Sequence, residues 1–588
     1  MPASGDLRGV DGAQLPDSQV RVFAMPPREN ADPAEIVQGF LESLTSDDPQ
    51  FEMARKYLTE KASEEWRPEV STSVLADGPH TTAQRPGDDG ARTYTLTGTR
   101  IATVDVQHAY KPASGTYSQP VHLVQDPASG NQWRIDRPPR GVVLGESDFL
   151  RIYRPVNKYY FAADDTHGQG QERLVADPVY VRQRVDPVTQ TVRLLMEGPT
   201  QWLAPVVRSE FPSGIRLDTS AESLAPDSNN ILEVPLEPAG DAIGQPQCTK
   251  MAAQLIFTLQ DWAANGIEEV EVQRSDGSPL CRLTADRAET VAPHRTRGNP
   301  DYQYFLDDKK RLVRLPGIST GADPEPAPGP LGTTEKPFGS VAVSREEDQA
   351  AGVSLNGREL YVGALAAGTA LGEPVLTSRA KNVKDGLTAP SWDGRGDLWV
   401  ADRNPGDSGL YLLRQGSGTP VPVQTPGLAG GRIEAVRVAA DGVRIALLVE
   451  REGSRTLRIG RVEREAPGSA GVSAGSADHP TGTVRVAELR SAAPQLEEVT
   501  AMSWAGGSRL VVVGRESGGV QQIRYVHTDG STPEGGALPG LTGVQEIAAS
   551  DDERLPLVAH SDDGIVRLPP GEPWRTVLKT GTSPVYPG

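Results

Sequence analysis

After Pro300 the chain carries a repeat that few folds can accommodate. Six segments read as strands: Arg311–Leu315, Arg358–Gly363, Gly396–Ala401, Gly442–Val449, Ser508–Gly514 and Leu555–His560. Most follow a small or acidic turn, at Ser391-Trp392-Asp393, Ala440-Asp441, Ser503-Trp504 and Ser550-Asp551. Counted from Ser391, those turns lie 49, 63 and 47 residues apart. The long interval holds Pro467–Gly482, rich in Gly, Ser and Ala, which reads as a surface insertion. Helical periodicity is lacking throughout this stretch. A period of about 40–50 residues with several strands per unit points to a β-propeller. Residues 296–588 at about 45 per blade hold at most about six whole blades, and five to six are expected. The hairpin Tyr302–Leu315 stands apart from the repeat, so we expect it to pair with late strands and close the ring. The alternative is an extended linker running on through Gly317–Pro337.

Composition agrees with many short strands and turns. The 588 residues include 62 Gly and 50 Pro, and only 5% are aromatic. The net charge of −19 leaves no basic face for a nucleic acid, so we expect no nucleic-acid partner. No apolar run reaches the 18 residues a membrane helix needs. The start, Met1-Pro2-Ala3-Ser4-Gly5-Asp6, has neither the basic end nor the apolar stretch of an export signal.

Before the repeat, the periodicity describes two smaller units. Residues 1–30 are polar and rich in turn formers, and read as a tether. Residues 31–143 read as an α+β domain. Asp32 and Pro33 open a helix with Ile36, Val37, Phe40, Leu41 and Leu44 on one face. A second helix is predicted from Phe51 to about Glu64. The strands Thr93–Leu96, Arg100–Val106, Ser118–Gln125 and Gln132–Asp136 follow with a period of two. Residues 144–288 read as a second α+β domain. Its strands are Val156–Ala162, Leu174–Val181, Ile231–Leu236 and Val270–Arg274; its helices are Val188–Glu197 and Thr249–Trp262.

Catalytic patterns fail on context. Gly317-Ile318-Ser319-Thr320-Gly321 and Gly471-Val472-Ser473-Ala474-Gly475 match a nucleophile elbow in letters, but neither sits between a strand and a helix. Gly406-Asp407-Ser408-Gly409 reads as a hairpin turn. Ser391–Trp399 is close to the turn motif of propeller sialidases, but Arg395 stands where glycine belongs, and no arginine trio can be assigned. The eight His (80, 108, 122, 167, 294, 479, 527 and 560) are scattered without metal-ligand spacing. The pairs Asp164-Asp165, Asp307-Asp308 and Asp551-Asp552 lack a calcium-loop pattern. We therefore expect no enzyme, no cofactor, no metal and no catalytic residue. Cys248 and Cys281 form one bridge in an oxidising compartment, or remain two buried thiols.

Two stretches carry a resemblance. The run Leu194–Pro199, then Phe211–Leu217, the strand Ile231–Leu236, the helix Cys248–Trp262 and the turn Asp276–Pro279 together resemble a GerMN domain, a module of sporulation and germination proteins. The whole order of tether, α+β domain, GerMN-like domain and propeller resembles the LpqB lipoproteins of actinobacteria across nearly the full chain. Met1–Gly5 looks like the segment just after that family's lipobox cysteine. The chain as written has no lipobox and no cysteine before Cys248, so the resemblance implies a truncated or soluble form, or a different start. It further implies an extracytoplasmic accessory of the MtrA–MtrB two-component system. Such a protein meets the extracytoplasmic domain of an MtrB-like sensor histidine kinase and modulates signalling in cell-envelope growth and division. In the family, a lipid anchor holds it to the cell membrane. The competing expectation is an envelope glycan- or peptidoglycan-binding propeller, in which Trp392, Trp399 and Trp504 stack on sugars.

Overall fold

The computed structural model describes residues 24–588 except 86–89, 164–171, 220, 222, 261, 263–265, 292–301, 317–322, 429, 465–482 and 534. Most of the tether, both elbow-like motifs, the Pro467–Gly482 stretch, Asp164-Asp165, His167, His294 and His479 lie outside the described residues. The chain divides into two compact units. One comprises Met1–Thr103, Ala113–Tyr153 and Arg182–Val185; the other comprises Val104–Pro112, Arg154–Val181 and Asp186–Gly588.

In the first unit the helix Pro33–Leu44 is capped by Asp32, whose carboxylate accepts from Glu35 N at 2.9 Å. It buries Ile36, Val37, Phe40 and Leu44. The long second helix predicted from sequence is instead two short ones, Glu52–Arg55 and Glu60–Glu65. Two interactions break it. Tyr57 and Thr59 exchange backbone hydrogen bonds with Ile135, and the Thr59 hydroxyl caps the second piece by accepting from Ala62 N. The sheet runs in the order Gln132–Arg137, Thr116–Asp126, Arg92–Val104, Thr72–Leu75, Val142–Gly145. Its last pair is parallel, and neither of those four-residue strands was read from the sequence.

The second unit begins with two small sheets. Tyr153–Ala162 lies between Val207–Arg208 and Leu174–Arg182. Ile231–Pro235, Glu269–Gln273 and Pro279–Thr284 form the other. The helix Gln245–Leu259 buries Met251, Ala252, Leu255, Ile256 and Leu259, as its spacing predicts. The nine residues of Leu174–Arg182 are all buried, Asp177 among them. Lys158 pairs with Asp177 at 3.6 Å, and Thr200 donates to the same carboxylate from its N and Oγ1. Lys158 also donates to the carbonyl of Gly198 at 2.8 Å, which fixes the end of the helix Pro187–Glu197. A buried pair survives only with its remaining hydrogen-bonding capacity met, and here it is.

The remainder is a ring of six sheets, at the upper end of the range expected from length. Each begins with a strand beside the axis: Thr582–Val585, Phe338–Val343, Ser391–Trp392, Arg432–Val438, Glu498–Trp504 and Glu546–Ala548. These six contact one another in cyclic order, so the ring is closed. The hairpin Tyr302–Leu306 and Leu312–Pro316 joins the last strand Thr582–Val585, with Tyr304 opposite Val585 and Leu306 opposite Thr582. Four of the six strand segments read from sequence are the second strands of their sheets, but Leu312–Pro316 and Glu359–Ala364 are third strands. The second strand beside Glu359–Ala364, Gln349–Ser354, was hidden by its small residues. Gly352 lies against the Phe338 ring, where an added Cβ would stand 2.7 Å from it.

The GerMN-like part and the propeller share a continuous core. Tyr159, Trp202 and Leu203 belong to the same buried cluster as Ala439, Val443, Leu457, Met502 and Leu510. Arg444 crosses this junction. Its Nε donates to Asp441 at 2.6 Å and its Nη1 to the Ala176 carbonyl at 3.1 Å. Arg461 donates to the Trp202 carbonyl at 2.9 Å, while the Trp202 indole donates back to Glu488 O at 3.2 Å.

Candidate functional site

The turns that marked the repeat converge on the axis, and they do so for a structural reason. The Ser391 hydroxyl accepts from Val438 N at 3.0 Å and the Ser503 hydroxyl from Ala549 N at 3.0 Å. Ser583 does the same for Val341 N at 3.3 Å. Each serine therefore satisfies a backbone donor on the neighbouring blade's first strand, where no sheet partner exists. In the third blade Asp393 organises the turn. It accepts from Arg395 N and Asp397 N, takes the Trp399 indole N–H at 2.9 Å, and pairs with Arg464 at 3.0 Å. Burial and the neighbouring Asp393 push the Asp397 carboxyl up, and Arg464 opposes this.

Inside the ring, at the end where these turns lie, is a cavity of about 60 Å³. All six blades contribute to it. Its polar wall includes Arg345, Ser391, Arg437, Ser503, Ser550 and Asp551. The volume suits a few waters or one small polar group; organic ligand pockets are typically about 300–1,000 Å³. Arg345 pairs with Asp551 at 3.0 Å. Arg437 differs. Among the described residues its side chain makes one hydrogen bond, from Nη1 to the Val436 carbonyl at 2.9 Å, and no ion pair. Burial pushes its guanidinium below the usual range, with Glu546 opposing. Glu546 Oε2 is itself occupied, by Ser583 N at 2.7 Å and His560 Nδ1 at 3.1 Å. Nothing in the sequence singled out Arg437, which occupies an ordinary polar position in Arg-Ile-Glu-Ala-Val-Arg-Val.

The other residues singled out by sequence fall elsewhere. Cys248 and Cys281 are joined by a disulfide between the helix Gln245–Leu259 and the strand Pro279–Thr284, with a Cα–Cα distance of 6.0 Å. The three tryptophans offered for sugar stacking are buried, Trp392 and Trp399 at 0% exposure and Trp504 at 8%. They fill the spaces between blades and present no face to a glycan. Gly406–Gly409 is an exposed turn between the strands Leu398–Asp402 and Gly409–Leu413. Asp307 pairs with Arg311, and Asp552 with Arg554. Among the described residues, no group of three or more His, Cys, Asp or Glu could hold a metal. His527 and Asp529 are half-buried and act on each other electrostatically; burial pushes the imidazole down and the carboxyl up, and each group's charge opposes the other's shift. Among the described residues, no helix is long and apolar enough to cross a membrane.

Known proteins match along the whole chain. The family described as "Lipoprotein LpqB, N-terminal domain" matches residues 26–150, "Sporulation and spore germination" matches 158–281, and "Lipoprotein LpqB beta-propeller domain" matches 310–587. Lipoprotein LpqB of Streptomyces avermitilis is 60% identical over 594 residues, covering 100% of this chain and 95% of its own. That of Streptomyces coelicolor is 58% identical over 598 residues, with the same coverage. Among solved structures, TolB from Acinetobacter baumannii covers 55% of this chain and 84% of its own, with a TM-score of 0.33 and 15% identity, too distant to bear on function.

Proposed function

Because this chain belongs to the lipoprotein LpqB family, we propose that it is an extracytoplasmic accessory protein that binds the sensor domain of a membrane histidine kinase and modulates two-component signalling in envelope growth and division. In this reading it works by binding and not by catalysis, and a lipid anchor holds it at the outer surface of the cell membrane. The observation that carries the reading is the fusion of the GerMN-like part and the six-bladed ring into one compact unit. A unit of that kind presents broad, fixed loop surfaces of the size a protein partner needs. The small axial cavity supports a macromolecular partner over an organic substrate. The Cys248–Cys281 bridge supports an oxidising compartment. An anchor of one acyl chain would add mainly effective concentration near the kinase.

The test is a titration of the whole chain against the isolated extracytoplasmic domain of the cognate kinase. Saturable binding in the micromolar range or tighter, with amide exchange slowed on one set of propeller loops, is the expected result. Absence of binding across that range would overturn the proposal.

A further inference from the structure

The axial cavity poses a charge problem. Arg437 lines it from the first strand of the fourth blade, is half-buried, and has no ion-pair partner among the described residues. The acids nearby are committed. Asp551 is held by Arg345, and Glu546 takes Ser583 N and His560. A guanidinium keeps its charge even when desolvated; Glu546 acts on this one only from beyond ion-pair distance, and a half-buried charge without a close partner is costly. The hydroxyls of Ser391, Ser503 and Ser550 line the same wall, each already accepting a backbone hydrogen bond and therefore free to donate its own proton elsewhere. Ser503 is the partial exception, with a long 3.4 Å contact to the Trp504 carbonyl. A cation ringed by hydroxyl donors in a volume of about 60 Å³ matches one chemical class.

We propose that the axial cavity is an oxyanion site, in which Arg437 grips a carboxylate or a small inorganic oxyanion while the serine hydroxyls donate to it. The fork of the guanidinium suits two-point recognition of such a group. With a net charge of −19, the chain as a whole repels anions, so binding here is local. The group can arrive free in solution or as an acidic side chain of a peptide inserted along the axis.

The test uses the full chain at constant ionic strength, with chloride exchanged for inorganic phosphate or acetate. Binding is read by calorimetry and by the shift in Tm. Saturable one-to-one binding is expected, weakened about 10-fold or more in Arg437→Met. Should that variant not fold, Arg437→Lys retains the charge but loses the fork, and is expected to bind acetate more weakly. A parallel titration uses an end-capped peptide carrying one Glu. Binding of the free oxyanions identifies the dissolved source; binding of the peptide alone identifies a partner's side chain. Absence of binding by phosphate, acetate and peptide would overturn the proposal, as would unchanged affinity in the variants.

Discussion

Breaking the Cys248–Cys281 bridge tests how the GerMN-like part is held together. The two residues are 33 apart in sequence, and both are buried. For a closed loop of that length, the chain-entropy relation gives about 12.5 cal/mol/K, or about 3.7 kcal/mol at 25 °C. Each Cys→Ala change also removes a buried sulfur, which costs about 1 kcal/mol in lost contacts. Either single variant opens the same bridge, so each should lose about 5 kcal/mol, and the double variant about 6. Independent sites would instead add to about 9–10 kcal/mol. The predicted coupling of about 4 kcal/mol is the bridge itself. Urea unfolding followed by far-ultraviolet circular dichroism measures all four corners of the cycle. A double variant that loses the sum of the singles would refute the reasoning, because the cysteines would then act as two separate apolar fillers.

Other outcomes follow from particular contacts. Tyr117, buried in the first unit, has its phenol pushed up to about 12, with Arg100 opposing. Its folded value lies above the unfolded one, so this contribution is complete below pH 10 and is lost as pH rises from 10 to 12. The loss is on the order of 2–3 kcal/mol, and Tyr117→Phe should flatten that part of the urea-midpoint profile. Arg444→Met should strand Asp441 at the junction and cost about 3–5 kcal/mol, read as a lower Tm for the second unit. A drop confined to the propeller's own signal would show that the two parts do not share a core. Thr59→Ala should cost about 1 kcal/mol, visible in chemical denaturation, through loss of the cap on Glu60–Glu65.

What could be read from the sequence was what repeats locally. Asp32 and the spacing from Ile36 to Leu44 specify a helix within one stretch of chain. The propeller was visible because its second strands are apolar and follow serine- or aspartate-bearing turns. Where strand residues are small, as in Gln349–Ser354, burial is supplied by a neighbour's ring, and the strand leaves little trace in its own letters. The junction was illegible for a different reason. Arg444 meets Ala176, and Arg461 meets Trp202, across more than 250 residues, and no local pattern records such pairings. The axial cavity belongs to the same class: six distant strands make it, and Arg437 gains its meaning only when the ring is closed.

The closure itself sets a clock. Leu306 has no ladder partner on its axial side until Thr582 exists, 276 residues later. At synthesis rates of about 5–20 residues per second, the opening hairpin waits roughly 14–55 seconds for its mate. During that interval five blades can form, but the ring has an open seam along which Tyr302–Leu306 keeps a bare strand edge. The propeller is thus finished only once Thr582–Val585 has been made. Those residues decide whether the preceding 280 become a disc or a string of sticky sheets. A holdase that shields the seam until Thr582–Val585 arrives would therefore act on this chain at a single place.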